Sequence, residues 1–221
     1  MRRVWLWWSS GKDSAWALQL LRQDPDVSVE RLITTVTPTF GRVAIHGTRI
    51  SVLEAQASAV GVPLQLIELP YPCSNAEYES ALEPVLEEAA ATDLDSMAFG
   101  DLFLEDVREH RERLLSRSGV DSLFPLWGLD TTKLSRQVIE SGVEAYVVCL
   151  DPKHVDPENA GARFDPSFLG KLPESVDPCG ERGEFHTCAT SGPMFQRGLD
   201  VSVGEVVERE GFVYADLLLD E

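Results

Sequence analysis

The chain has 221 residues, 43% hydrophobic and 25% charged, the make-up of a soluble globular protein with material for one large domain or two small ones. Nineteen Lys and Arg stand against 37 Asp and Glu, a formal net charge of -18 that opposes binding to a polyanion and sets a tRNA or DNA substrate aside. Its four cysteines, Cys73, Cys149, Cys179 and Cys188, include no C-x-x-C pair, so zinc and iron-sulfur sites are not indicated and reduced, partly buried thiols are expected.

The amino terminus lacks the length and cleavage site of a signal peptide, and no segment approaches a membrane span, so a cytoplasmic protein is expected. Residues 4–8, Val-Trp-Leu-Trp-Trp, form an apolar run that reads as a buried parallel strand. Directly after it comes the hexapeptide Ser9, Ser10, Gly11, Lys12, Asp13, Ser14, and then an amphipathic helix over 15–22. Strand, tight polar loop and helix is the context in which a short motif becomes a phosphate site. Gly11 admits an anion close to the backbone, the N–H groups of the helix start point outward, and Lys12 adds a full charge. The spacing excludes a Walker A loop, because no glycine stands five positions before Gly11 and Lys12 is followed by Asp13. The motif resembles the PP-loop, S-x-G-K-D-S, of the N-type ATP pyrophosphatases, which cleave ATP between the α and β phosphates. A serine-capped helix start is the plainer alternative.

Further along, 31–36 is a β-branched strand, and 37–48 is a Thr- and Gly-rich loop carrying His46. A helix over 49–60 stops at Gly61 and Pro63. Strands at 64–69, 96–99, 123–126 and 145–150 then alternate with helices over 75–91, 104–118 and 131–141, which implies a parallel sheet with helices on both faces. Residues 151–179 read as a long irregular connection, and 201–207 with 212–219 as a terminal β-hairpin. The expected division is a nucleotide-binding domain, 1–125, and a smaller α+β domain, 126–221.

Two further clusters carry chemistry. Gly100 and Asp101 close the strand at 96–99, placing Asp101 at the same carboxyl edge as the loop, where a carboxylate can hold Mg²⁺ or orient a nucleophile, or simply cap the next helix. Arg108 and Arg111 lie three apart on that helix; solvated ion pairs are the default, and a bidentate clamp on a carboxylate or phosphate is the alternative. The run from Asp177 to Thr187 sets glycines around a charged pair, with Glu181 and Glu184 three apart beside His186 and Thr187. Both carboxylates could accept hydrogen bonds from an ammonium or act as base, and His186 could serve as acid or base.

The PP-loop, the step at Gly100 and Asp101 with Arg108 and Arg111, the segment Phe124-Pro125-Leu126-Trp127 and the G-E-x-G-E-[FY]-x-T run at 180–187 together resemble the diphthine-ammonia ligase family over roughly 4–195. The resemblance implies a HUP-type, Rossmann-like α/β domain that binds adenine nucleotide, joined to a smaller domain bearing the glycine-rich loop. Ser10 stands where the family often has a second glycine. The implied reaction is an AMP-forming amidation: ATP adenylates a carboxylate with loss of pyrophosphate, and ammonia displaces AMP. Residues 9 to 14 would bind ATP, with Lys12 stabilising the leaving group and Asp101 holding Mg²⁺. Glu181 and Glu184 would act on the acceptor side, with Arg108, Arg111, His186 and Thr187 contacting substrate. The connection at 151–179 is given a role as a cover that keeps water from the adenylate. The acceptor, diphthine or another carboxylate, is left open. A non-catalytic nucleotide sensor and a thiolation enzyme are the alternative readings.

Overall fold

The computed structural model of the chain describes residues 1–116 and 118–220. The first sheet contains β1 (Arg2–Trp7), β2 (Val27–Thr37), β3 (Arg42–Val43), β4 (Leu64–Glu68), β5 (Ser96–Ala98) and β6 (Asp121–Leu123). Its order is β3-β2-β1-β5-β6, with β4 also on β2, and every pairing is parallel except the short β2–β3 ribbon. The helices are α1 (Lys12–Gln23), α2 (Ile50–Val60), α3 (Asn75–Ala91), α4 (Glu105–Leu115) and α5 (Thr131–Glu140).

Alternation along β1 explains why both faces are covered. Val4 and Leu6 enter one apolar cluster with Leu18 of α1 and Leu53 of α2. Trp5 enters another with Leu82 and Val85 of α3 and Leu115 of α4. A strand buried on both faces must be apolar at every position, as 4–6 are, since successive side chains point to opposite faces. Helix α2 ends where expected, at Gly61 in the left-handed conformation, with its N–H on the carbonyl of Ala57.

A second, antiparallel sheet follows, ordered β8-β7-β10-β9, from β7 (Glu144–Leu150), β8 (Phe185–Ser191), β9 (Val201–Arg209) and β10 (Phe212–Leu219). The hairpin over 201–219 is therefore present as expected. Strand β8 was not expected: the run at 177–187 reads as a loop because of Gly180 and Gly183, both at positive φ, yet Phe185 already pairs with Leu150 of β7. The strand expected at 123–126 lies earlier, because Pro125 cannot donate to a ladder and β5 pairs with Asp121, Ser122 and Leu123. The connection at 151–179 contains a 3-10 turn (Pro157–Asn159) and a short helix α6 (Pro166–Leu169). Val155, Phe164, Phe168 and Val176 anchor it, all nearly inaccessible. They belong to the same cluster as Val4 and Leu6, so one apolar core runs through both sheets.

The sheets are also joined by ions. Asp216 of β10 accepts from Arg42 (2.8 Å) and from Arg49 (2.6 and 2.9 Å). Burial raises the Asp216 carboxyl, but the hydrogen bonds from Arg49 and Arg42 outweigh it and hold the group at about 2. A depressed carboxyl stabilises the fold above its unfolded pKa and loses that contribution as pH falls from about 4 to about 2. Asp216→Asn is expected to cost roughly 1–2 kcal/mol at pH 7 and almost nothing at pH 2, read by urea unfolding at both values. A cost unchanged at pH 2 would rule out the ion pairs as its source.

Candidate active site

The carboxyl ends of β1 and β5 present the hexapeptide loop and the Gly100–Asp101 step side by side. Gly100 packs tightly: a Cβ there would lie 3.1 Å from the backbone nitrogen of Ser14 and 3.2 Å from the carbonyl carbon of Asp13, so a larger residue would push the two backbones apart by a few tenths of an ångström. Close approach at Gly100 is what draws the end of β5 against the start of α1.

Within the loop, Ser9 Oγ lies 3.2 Å from Ser14 Oγ and accepts from the Gly11 amide at 3.3 Å. Ser10 is held at φ 71, a left-handed conformation that costs a non-glycine residue roughly 1 kcal/mol. Its hydroxyl compensates by sitting 2.8 Å from Thr48 Oγ1 in the interior. The Ser10 carbonyl accepts from the Ala189 amide of β8 (2.8 Å) and from Gln56 Nε2 (2.9 Å). Gln56 is fully buried and also donates to the Ala189 carbonyl (2.6 Å), while its Oε1 accepts from Trp8 Nε1 (2.9 Å).

Lys12 is the centre of the arrangement and is 1% exposed. Its amide donates to Thr187 Oγ1 at 3.1 Å. Its Nζ donates to the Cys179 carbonyl at 2.5 Å and to Asp13 Oδ2 at 2.9 Å. The same ammonium lies 5.0 Å from the ring centre of Phe164 and 5.4 Å from that of Phe185. Burial favours the neutral amine, but Asp13 and the other negative groups around it outweigh burial and keep Lys12 charged. Two carboxylate oxygens nearby, Asp13 Oδ1 and Asp101 Oδ2, are buried and find no hydrogen-bond partner among the described residues. Burial raises Asp101, and Arg111, with Nε 3.6 Å from Oδ2, opposes the shift.

The loop at 177–187 packs directly over this edge. Glu181 Oε1 accepts from the amides of Leu102 (2.7 Å) and Phe103 (3.3 Å), tying the second sheet to the Gly100–Asp101 step. Burial lifts the Glu181 carboxyl to about 7 despite those two amides. A carboxyl raised in the fold contributes its stability below the unfolded pKa and loses it as pH rises through the folded one, here between about 4.5 and 7. Glu181→Gln keeps the acceptor oxygen and stays neutral, so it is expected to be more stable than the parent at pH 8, by on the order of 2 kcal/mol, and equal to it at pH 4. Thermal melts at the two pH values measure this, and a variant less stable at pH 8 would contradict it.

Glu184, 3% exposed, is used differently: Oε1 accepts from the Asp177 amide and Oε2 from the Arg182 amide, both at 2.9 Å. It folds the loop. His186 faces His46 with ring centres 4.4 Å apart. Burial holds both imidazoles neutral, His46 at about 4 and His186 well below the usual range. Arg108 and Arg111 stack on an aromatic wall at the same edge: Arg108 on Phe124 and Trp127, Arg111 on Trp7 and Phe99.

The structure thus brings together Lys12, Asp13, Asp101, Glu181 and Thr187, and it lines the periphery with Arg108, Arg111 and His186. It adds Gln56, Cys179 and Phe164, which the motifs did not single out, and gives a place to His46 and to Phe185, the aromatic position of the 180–187 run. Gln56 carried a signal, a lone amide within the apolar stripe of Leu53, Ala57 and Val60. Among the described residues no group of three His, Cys, Asp or Glu side chains has the geometry of a metal site, and no helix is long and apolar enough to cross a membrane.

Comparison with known proteins places these features in context. A family model described as the diphthamide synthase N-terminal domain matches residues 1–122, and one described as the diphthamide synthase C-terminal domain matches 130–216. Proteins named diphthine-ammonia ligase are similar to the chain. The Schizosaccharomyces pombe one is 27% identical over 120 residues, covering 52% of this chain and 20% of that protein. The Homo sapiens one is 22% identical over 156 residues, covering 65% and 55%, and the Mus musculus one 23% over 242 residues, covering 94% and 85%. The chain therefore spans 20% and 55% of the first two relatives. A solved structure described as a predicted subunit of tRNA methyltransferase from Methanocaldococcus jannaschii aligns with a TM-score of 0.43 at 19% identity, over 68% of this chain and 78% of that one.

Proposed function

The chain belongs to the diphthamide synthase family, matched in both of its halves, and from that premise we propose that it is an ATP-dependent, AMP-forming amide ligase acting on a carboxylate. The observation that carries this reading is the convergence on Lys12 of groups from both sheets: Asp13 beside it in the loop, the Cys179 carbonyl from the loop above, and the Thr187 hydroxyl from β8. A buried cation beside a carboxylate whose second oxygen, Asp13 Oδ1, accepts no hydrogen bond among the described residues is costly in a resting fold and is explained by a charged ligand that completes the set.

In this reading the loop amides and the hydroxyls of Ser9 and Ser14 cradle the phosphates of ATP, Ser10 fixes the loop from behind through Thr48, and Lys12 turns from the Cys179 carbonyl to meet the phosphates. An acceptor carboxylate oxygen attacks the α-phosphorus, and the bond to the bridging oxygen breaks with pyrophosphate leaving. Lys12 stabilises the charge on that leaving group. Ammonia then attacks the acyl carbon and AMP departs with the electron pair of the C–O bond. Glu181, poised at about 7, takes up the proton released by the nitrogen. Glu184 acts by holding the loop in shape. Arg108 and Arg111 hold the acceptor at the aromatic wall, while Thr187, on the Lys12 amide, and His186 contact substrate from the second sheet.

Mg²⁺ fits as a companion of the nucleotide. Asp101, whose Oδ2 accepts no hydrogen bond among the described residues and faces Arg111 Nε at 3.6 Å, is a hard donor, and one or two carboxylates completed by substrate phosphates is a common way to hold this ion. Bound there it would neutralise phosphate charge. We assign 1–125 as the ATP-binding unit and 126–221 as the unit carrying the glycine-rich loop; the interval 123–129 left between the two matched ranges supports that division. Sulfur transfer suits the site less well, because burial pushes the Cys149 and Cys188 thiols up to about 12 and Cys179 higher still.

The test is product analysis: purified protein with α-labelled ATP, Mg²⁺, ammonium chloride and a panel of carboxylates should yield AMP and pyrophosphate together. Release of ADP alone would overturn the proposal.

A further inference from the structure

The surroundings of Lys12 Nζ have a shape that phosphate binding does not require. One carbonyl oxygen, one carboxylate oxygen and the faces of Phe164 and Phe185 enclose a single ammonium group, with Phe168 backing Phe185 edge-on at 5.1 Å. The second oxygen of the same carboxylate, Asp13 Oδ1, is buried with no partner among the described residues. None of these four groups would recognise an anion. Each is an acceptor or a π face, the chemistry that selects a small cation bearing several N–H donors.

We propose that this box is the binding site for the ammonium ion that supplies the nitrogen, occupied by the Lys12 side chain until nucleotide draws that side chain away. The lysine head group is a tethered copy of the ligand. When Lys12 moves to the phosphates, its former partners are left as a ready-made niche of the right size and charge beside the reaction centre. The arrangement orders the two substrates, because ammonium gains its site only after ATP is in place. Before attack the bound ammonium passes one proton to Asp13 and becomes ammonia, and the second proton, released as the amide forms, goes to Glu181; that fate of the nitrogen rests on the ligase reading, and the existence of the box does not.

Thermal stability separates the two ideas without an acceptor. In Lys12→Ala the box is empty, so the melting temperature should be about 3 °C higher in 100 mM ammonium chloride than in 100 mM sodium chloride. Lys12→Ala/Phe164→Leu, which lacks one π face, should lose most of that preference. The parent protein should show no ammonium preference alone and acquire one with α,β-methylene ATP. An equal response of Lys12→Ala to ammonium and sodium overturns the box, and an equal response to potassium and ammonium overturns its assignment to a nitrogen donor. If Lys12→Ala folds only in ammonium, the proposal is supported. If it folds in no salt, the parent with the analogue decides, and absence of an ammonium preference there overturns it. Failure to form AMP with intact ammonium binding would count against the ligase reading alone.

Discussion

Lys12→Ala is expected to lower AMP formation by a factor on the order of 10² to 10³, the loss typical when one preorganised group opposite a developing charge is removed. The residue is buried at 1% exposure at the start of α1, its amide bound to Thr187 and its Nζ enclosed, so neither water nor a neighbouring lysine can replace it. Labelled ATP and chromatography of AMP measure the effect. A variant within threefold of the parent would remove Lys12, and with it the loop, from the chemistry.

Gln56→Leu is expected to destabilise the fold by about 3 kcal/mol, the cost of leaving buried polar groups unmade. One side chain satisfies the Trp8 indole, the Ser10 carbonyl and the Ala189 carbonyl at once. Ser10 keeps its bond from the Ala189 amide, but the indole N–H and the Ala189 carbonyl lose the partner that Gln56 provides. Leucine matches the volume, so cavity formation does not confuse the result. Urea unfolding should show a lower midpoint at an unchanged slope. A loss below about 1 kcal/mol would mean that the polar bridge between the sheets adds little.

The elements that sequence periodicity reveals are those whose reasons are local. The double-sided apolar strand at 4–8, the stop at Gly61 and Pro63, and the hairpin at 201–219 each carry their own signal, and each is present. Strand β8 was hidden because Gly180 and Gly183 punctuate the stretch just before Phe185, although Phe185 to Ser191 is mostly buried. The box around Lys12 was out of reach for a different reason. Phe164, Cys179 and Phe185 lie more than 150 positions from Lys12, and only the packing of the second sheet onto the first makes them neighbours. His46, legible only as part of the 37–48 loop, gains a partner because His186 lies against it. Glu181 and Glu184 were indistinguishable by spacing. Their partners separate them, since one reaches across to Leu102 and Phe103 and the other closes its own loop.

The apolar cluster that includes Leu6, Leu53, Val147 and Phe185 runs without interruption from one sheet into the other. A seam of that kind denies the molecule a hinge, because parting the two sheets as rigid bodies would wet the interior. Opening of the PP-loop is therefore confined to motions that leave the seam closed, a swing of the Lys12 side chain and a lifting of the few residues above it. Such motions are small and fast compared with domain rotation. The chain is built to behave as one cooperative unit whose halves would not hold their shape apart.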